Sequence, residues 1–151
     1  MVTMAQFSRN IRSLNSQLDN SATKVVKATA SRALRSLVNN TPVDKGVARS
    51  NWRVGIGAPT RAVIQAYAPG NKLGIGERAN ASAAIGAGLA RIKTVRGKSG
   101  VGLQTAIYIS NAVPYIGLLN NGQHSKQAPA GFIQTALLEA SLEVHGFKLR
   151  L

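Results

Sequence analysis

The sequence predicts an α+β fold in which a long N-terminal helix, kinked or broken near its middle, and further helices pack on a small, mostly antiparallel sheet. Residues 4–39 contain no Pro or Gly and repeat their apolar residues at helical spacing. Shorter segments further on alternate apolar and polar residues as strands do, and segments of helical length separate them. This order of helices and strands, without a repeated βα unit, is typical of α+β proteins.

The chain of 151 residues has the size of one domain. We therefore expect a single domain over residues 1–151. It comprises the N-terminal helix at 4–39, an α+β body at 41–145 and a short tail at 146–151.

The first predicted helix carries two sets of apolar residues. As one straight rod it would be about 54 Å long, which exceeds the span of a compact domain of this size. At about 100° per residue the two sets also point in different directions. We therefore expect a kink or break at residues 19–21, where Asp19 and Ser21 can cap a new helix. The two sets are Phe7, Ile11, Leu14 and Leu18, then Val26, Ala30, Ala33, Leu34 and Leu37.

A turn and a strand follow this helix. The helix stops before Pro42, because the residue preceding a proline is pushed out of the α region. Residues 43–46 form the turn. In residues 50–57, apolar side chains alternate with polar and small ones, which predicts a half-buried strand.

Two more strands and a helix are predicted next. Residues 61–67 are a strand candidate, and residues 101–109 alternate most regularly of all. Between them, residues 79–95 read as a helix of small side chains. Gly86 and Gly88 each weaken that helix by about 1 kcal/mol, so it depends on tertiary or intersubunit packing.

Two helices complete the chain. A short helix at 111–120 is entered through Pro114, residues 121–122 form a turn and residues 123–130 form a polar loop. The last helix covers 131–144. Its predicted apolar side consists of Ile133, Leu137, Leu138 and Leu142.

The charge of the chain calls for an anionic partner. Nineteen Lys and Arg residues against five acids give a formal net charge of +14. Nucleic acid or acidic neighbouring subunits would neutralise it. No apolar run approaches the ~18 residues of a membrane span, and the N-terminus lacks a signal-peptide pattern, so we expect an intracellular protein without a membrane partner. The absence of cysteine excludes disulfides and thiolate chemistry.

Motifs for chemistry are weak in this sequence. Residues 74–79 fit the G-x-G-x-x-A dinucleotide pattern, but the parallel sheet and the later acid that such a site needs are missing. Residues 97–99 resemble the end of a phosphate-binding loop, yet Ile92 stands where its first glycine belongs. Glu139 and Glu143 lie one helical turn apart without a third metal ligand, and both histidines are isolated. We therefore expect no enzyme activity, no metal and no cofactor.

Eight cations form the set predicted to contact DNA or partner subunits. Four lie on the second half of the first helix, and three of these form a ridge opposite its apolar residues. Four lie on or beside the turn near residue 97. The alternative is an ordinary solvated face. The eight are Lys24, Lys27, Arg32, Arg35, Arg91, Lys93, Arg96 and Lys98.

Three segments together resemble a known family. They are TPVDKG at 41–46 followed by ARSNW at 48–52, the segment from YISN to LLNNG at 108–122, and QAPAGF at 127–132. In order and spacing they are similar to the tail-completion and neck proteins of long-tailed bacteriophages, and in particular to the lambda-type minor tail protein Z group. The resemblance extends over roughly residues 1–145. This chain departs from the family pattern at Lys45, where Thr is frequent, and at Asn120 or Asn121, where many members carry an acid.

The motif residues also have a structural interpretation. Pro42 and Gly46 bracket a fixed turn in which Asp44 can accept backbone N–H bonds, and Trp52 offers a large apolar surface for docking helix to sheet. The full set of motif residues comprises Pro42, Asp44, Gly46, Trp52, Tyr115, Asn120, Gly122, Pro129 and Phe132.

The resemblance implies a structural virion protein that forms a ring, often sixfold, at the head–tail junction. Such a ring completes the tail or neck and attaches it to the capsid connector or adaptor, next to tail terminator or tail tube proteins. Genomic DNA passes through the lumen, and assembly takes place in the host cytoplasm. The alternative function is a stand-alone protein that binds nucleic acid without reading its sequence.

Overall fold

Five helices and one antiparallel pair of strands make up the described part of the chain. The computed structural model describes residues 3–69, 76–97, 105–123 and 125–146. Strands β1 and β2 pair in antiparallel register with Val54 opposite Ile109, so the predicted α+β class is confirmed. The elements in order are α1 (Met4–Asn40), α2 (Val47–Ser50), β1 (Arg53–Ile56), α3 (Glu77–Thr94), β2 (Ile107–Ser110), α4 (Ile116–Asn120) and α5 (Phe132–Gly146).

Helix α1 is a single helix of 37 residues, so of the kink or break expected at residues 19–21 the break is wrong. It begins with a capping box, in which the Thr3 hydroxyl accepts from the Gln6 N–H (3.2 Å) and the Gln6 side chain accepts from the Thr3 N–H (2.9 Å). No Pro or Gly interrupts it afterwards. The Thr23 hydroxyl donates to the carbonyl of Asp19 (2.8 Å) and so spans the expected break.

The two halves of α1 have different surroundings, which explains why a break is not needed. The buried side chains of α1 all lie between Thr23 and Val38. The first apolar set, from Phe7 to Leu18, is exposed instead. A helix of about 55 Å can therefore stay continuous because its first half projects beyond the core.

The core lies between the second half of α1, helices α3 and α5, and the sheet. Helix α3 runs antiparallel to α1: Gly88 faces Leu34, and further along α3 the carbonyl of Lys93 accepts from Lys27 Nζ (3.1 Å). Trp52 is buried as predicted, and its indole N–H donates to the Thr41 hydroxyl (2.6 Å).

Two predicted strands differ from the structure. Residues 61–67 form no strand, because their backbone groups bond to side chains: the Ile64 N–H donates to Asn51 Oδ1 (2.8 Å), and the Tyr67 N–H donates to Ser50 Oγ (3.3 Å). The first strand begins only at Arg53, because the chain is helical up to Ser50.

The later predicted elements are of the same type in the structure, but their first and last residues differ. The most regular predicted strand is confirmed over Ile107–Ser110, and its residues 101–104 lie outside the described part. The small-residue helix is confirmed as α3. The helix predicted at 111–120 begins only at Ile116, and the turn after it contains Gly122 at φ +71°.

Helix α5 buries a different side from the predicted one. Its buried residues are Phe132, Ala136 and Ala140, and Ile133 is partly buried against them. Of the residues on the predicted apolar side, Leu138 and Leu142 are 65% and 63% exposed, and Leu137 is 57% exposed. Alanine faces the core because its small side chain lets the neighbouring backbone come close.

The two glycines of α3 provide a matched pair for testing this packing. A Cβ at Gly88 would lie 2.4 Å from Leu34 Cδ2 and 3.0 Å from Val54 Cγ2, whereas a Cβ at Gly86 meets nothing within 4 Å. Gly86→Ala should raise the free energy of unfolding by up to about 1 kcal/mol through helix propensity. Gly88→Ala should lower it, because overpacking costs about 1–3 kcal/mol and outweighs that gain. Urea denaturation measures both; equal stabilisation by the two changes would contradict close packing at Gly88.

Candidate assembly and nucleic-acid interface

Arg49 lies buried at the junction of α1 and α3. Its Nη2 donates to the carbonyl oxygens of Thr41 (2.8 Å) and Asn39 (3.3 Å), and its Nη1 binds the Glu77 carboxylate (2.9 Å). The last carbonyls of a helix lack partners within it, and a cation there is favourable. Glu77 stands in the first turn of α3, where a negative charge is favourable for the same reason. Arg49 therefore closes α1 and fixes the start of α3 against it.

Two buried asparagines hold the irregular segment 58–69. The Asn51 amide bonds both backbone groups of Ile64, each at 2.8 Å. The Asn80 amide likewise accepts from the Ala68 N–H (2.7 Å) and donates to its carbonyl (2.8 Å), while the Ser50 hydroxyl donates to Asn80 Oδ1 (3.0 Å). These hydrogen bonds of Asn51 and Asn80 were not predicted from the sequence. The feature that could have indicated them is the run of polar residues, Arg49 to Asn51, just before an apolar strand.

The second motif region fixes the start of α5. The Asn120 side-chain oxygen accepts from the Ile133 N–H (2.9 Å), and its backbone carbonyl accepts from the Gly131 N–H (2.7 Å). An oxygen acceptor at the start of a helix satisfies an N–H that has no partner within that helix. An acid at this position would supply the same acceptor. Phe132, also a motif residue, is buried beside it.

A groove of about 520 Å³ separates the two motif regions. Its lining includes Pro42, Asp44, Gly46 and Tyr115, four of the predicted motif residues. Asp44 does not bond the turn backbone as predicted; it is exposed, and the Gln127 amide bonds both backbone groups of Val43 at 2.8 Å. Burial, and secondly the Asp44 carboxylate, raise the pKa of the Tyr115 hydroxyl above its usual value. Pro129 is exposed and is not among the residues that line the groove.

Five of the predicted contact cations form what we call the basic face. The antiparallel packing of α1 and α3 brings residue 93 to Lys27, and Gly97 contacts the Thr23 side chain. The two predicted cation clusters are therefore neighbours in space. Along α1 the face extends for about 16 Å at 1.5 Å per residue. The basic face consists of Lys24, Lys27, Arg35, Lys93 and Arg96.

The other three predicted cations lie elsewhere. Arg32 is exposed and borders the basic face, since it is rotated by about 140° from Lys27 but only about 60° from Arg35 around α1. Arg91 lines a shallow depression together with Arg53 and Tyr67, beside the sheet. Lys98 lies outside the described residues.

Two helix surfaces of the protein are apolar and exposed to solvent. The arm is the first part of α1, residues 4–18, and its stripe consists of Phe7, Ile11, Leu14 and Leu18, between 38% and 55% exposed. The outer face of α5 consists of Leu137, Leu138, Leu142 and Val144, all exposed. Large apolar side chains concentrated in this way are typical of surfaces that bind another protein.

The candidates for chemistry find little support in the described residues. None of their acidic and histidine side chains form a group of three or more that could hold a metal ion. Glu139 accepts a hydrogen bond from the Ser36 hydroxyl (2.5 Å), and the side chain of Glu143 lies outside the described part. A Cβ at Gly76 would lie 2.7 Å from the Ala68 carbonyl oxygen, so close packing accounts for that glycine. Among the described helices, none has the length and apolarity needed to cross a membrane.

Comparison with known proteins identifies the class. The family model described as "Bacteriophage HK97-gp10, putative tail-component" matches residues 5–122, which is well over half of the chain. The protein is therefore a bacteriophage tail component, with a structural role in the virion. It belongs to the HK97-gp10-like family. No curated protein and no solved structure gives a significant match.

The junction at Arg49 generates a stability prediction. Arg49→Leu should lower the free energy of unfolding by about 2–4 kcal/mol, because each buried acceptor left without a donor costs about 1–3 kcal/mol. Glu77→Gln keeps an acceptor oxygen on a side chain that is 40% exposed, so it should cost less than about 1 kcal/mol. Chemical denaturation of both variants measures the difference. Equal losses would show that the ion pair, and not closure of α1, holds the junction.

Proposed function

We propose that the protein is a ring-forming subunit at the head–tail junction of a long-tailed phage, of the tail-completion or neck type of the lambda-type minor tail protein Z group. The ring contains several copies of this chain, six in the simplest arrangement. It attaches the tail to the capsid connector or adaptor and adjoins the tail terminator or tail tube proteins. Genomic DNA passes through its lumen.

The observation that carries this proposal is the pair of unpartnered apolar helix surfaces, the arm and the outer face of α5. A helix that is apolar all round is normally buried, and α5 carries apolar residues both towards the core and away from it. A lone molecule would leave both surfaces in water. Membership of a tail-component family supports the interpretation that other virion subunits cover them.

The basic face supports DNA in the lumen. Its cations lie where the second half of α1 meets the end of α3. Lys and Arg side chains on such a face can neutralise phosphates without reading bases. The same arrangement accounts for the tolerance of +14 per chain, because DNA supplies the compensating charge.

Labelling of particles tests the position in the virion. Antibody raised against this chain and viewed on purified particles by electron microscopy should mark the neck, between capsid and tail. Antibody first absorbed with the purified protein provides the control. Label spread along the tail shaft, or confined to unassembled protein, would contradict a place at the head–tail junction.

DNA binding by the purified protein tests the basic face. For Lys24→Gln with Arg35→Gln, the slope of log affinity against log salt should become shallower by about two, since each phosphate contact contributes about 0.9. Lys45→Gln with Lys126→Gln removes the same charge from exposed positions off this face and should change the slope little. Fluorescence anisotropy with a short duplex between about 50 and 200 mM salt gives both slopes. Equal effects of the two pairs would indicate attraction by net charge alone.

A further inference from the structure

Strand β1 is paired on one edge only within the described residues. In an antiparallel pair, residues whose N–H and C=O bond the partner strand alternate with residues whose groups point to the other edge. The Gly57 N–H donates to the Ala106 carbonyl (2.9 Å) in the same register that places Val54 opposite Ile109. Val54 stands three residues before Gly57 and has the opposite phase. Its N–H and C=O therefore point away from β2, to what we call the open edge of β1.

The backbone of Val54 is buried and lacks a hydrogen-bond partner. Val54 is only 5% exposed, and neither its N–H nor its C=O bonds to any group of the described residues. Nearly all buried backbone groups in proteins are paired, because an unpaired one is costly. Either water or another strand must therefore supply an acceptor and a donor at the open edge.

The segment predicted to form another strand does not occupy this edge. The chain leading into residues 61–67 passes over a face of the sheet instead. A Cβ at Gly55 would overlap the Ala58 carbonyl oxygen, and the Ser110 hydroxyl bonds the N–H (3.2 Å) and the C=O (2.9 Å) of Thr60. The side chain of Ser110 and the Cβ direction of Gly55 belong to the same face of the pair. The place beside β1 stays open.

A depression of about 300 Å³ lies along the open edge. Its lining includes Val54 of β1, Gly88 of α3, and Thr60 and Tyr67 of the segment that crosses the sheet. Its volume is at the lower end of the range for binding pockets. A chain that enters it in extended form would bring its own N–H and C=O to those of Val54. Peptides that add a strand to the edge of a sheet bind in this way.

The depression is positively charged. Arg53 and Arg91 line it, and none of its lining residues is an acid. Within the described part of the chain, the Arg53 guanidinium bonds only to the Ala62 carbonyl (3.5 Å), and the Arg91 guanidinium has no hydrogen bond. Guanidinium groups form their strongest hydrogen bonds with carboxylates and phosphates. Two of them in one depression favour an anionic occupant.

A second copy of this chain does not offer such an occupant in extended form. Four of the five acids lie within helices: Asp19 in α1, Glu77 in α3, and Glu139 and Glu143 in α5. The fifth, Asp44, lies in the turn that lines the groove between the motif regions. The net charge of +14 also makes one copy repel another at a basic surface. Another protein therefore fits the depression better.

We infer that the open edge of β1 binds an extended acidic segment of another virion protein. The segment adds a third strand to the sheet, pairs with Val54 through its backbone and places carboxylates on Arg53 and Arg91. This rests on the proposed function in one respect, that the chain works among other virion proteins. It does not depend on the ring or on its place in the particle.

A synthetic peptide tests the main-chain pairing. The probe is an octapeptide that alternates glutamate with valine, because successive side chains of a strand point to opposite sides. In nuclear magnetic resonance spectra of the full chain, the Val54 amide should shift and exchange its hydrogen more slowly as peptide is added up to about 1 mM. The matched control peptide carries N-methyl groups on two successive central residues. It keeps the charge but loses a donor on each edge, so it should bind much more weakly.

Two pairs of substitutions test the charge. Arg53→Gln with Arg91→Gln should weaken binding of the labelled peptide roughly tenfold, because two exposed or half-exposed ion pairs are lost. Lys45→Gln with Lys126→Gln removes the same charge from exposed positions outside the depression and should change the affinity little. Fluorescence anisotropy gives the affinities, and circular dichroism checks that both pairs keep the fold.

Three results would overturn the inference. The first is an unchanged Val54 amide at the highest peptide concentration. The second is equal binding of the methylated peptide, or equal effects of the two pairs of substitutions, since net charge alone would then attract the peptide. The third is a short DNA duplex that shifts the Val54 amide and displaces the peptide, which would make nucleic acid the occupant.

These outcomes are separate from the test of virion position. If the antibody marks the neck but the peptide does not bind, the position stands and the strand contact is wrong. If the peptide pairs with Val54 but the neck is not marked, the contact stands and the position in the virion is wrong.

Discussion

The end of α1 is the point on which the rest of the fold depends. Thr41 uses its hydroxyl both to donate to the Leu37 carbonyl and to accept from the Trp52 indole, and its own carbonyl accepts from Arg49. Trp52 leads directly into β1, and Arg49 binds Glu77 at the start of α3. One helix terminus thus orients the sheet and the second long helix. Its buried carbonyls must find donors, because an unpaired buried acceptor is costly.

Close packing of small side chains in the core determines which large apolar residues remain exposed. Alanines of α5 and Gly88 of α3 face the core, so the helices approach closely and the larger leucines of α5 remain outside. The core ends near Thr23, and the arm extends beyond it with an exposed apolar stripe. Such a protein has a packed core but leaves large apolar side chains exposed on two helices, as is expected of a subunit of a larger assembly.

The sequence predicts many of the residues at the site, but not how they are arranged in space. The motif at 41–52 is visible in the sequence, and burial of Trp52 follows from its size. The Val43 backbone bonds to Gln127, which belongs to another motif, and not to Asp44. This contact joins two loops separated by more than 80 residues along the chain, so no local pattern predicts it. The basic residues near 27 and 93 were predicted separately, and only the antiparallel packing of α1 and α3 makes them neighbours.

The sequence by itself determined the α+β class, the helical character of residues 4–39 and the principal strand near residue 109, because periodicity and proline act locally. The net charge of +14 follows from composition alone. Tertiary structure decided three other matters: that α1 stays unbroken, that residues 61–67 bond to asparagine and serine side chains instead of a strand, and that Leu138 and Leu142 face outwards. Each depends on which surfaces find a partner. Helical spacing places apolar residues on a face, but only packing decides whether that face meets its own core or another molecule.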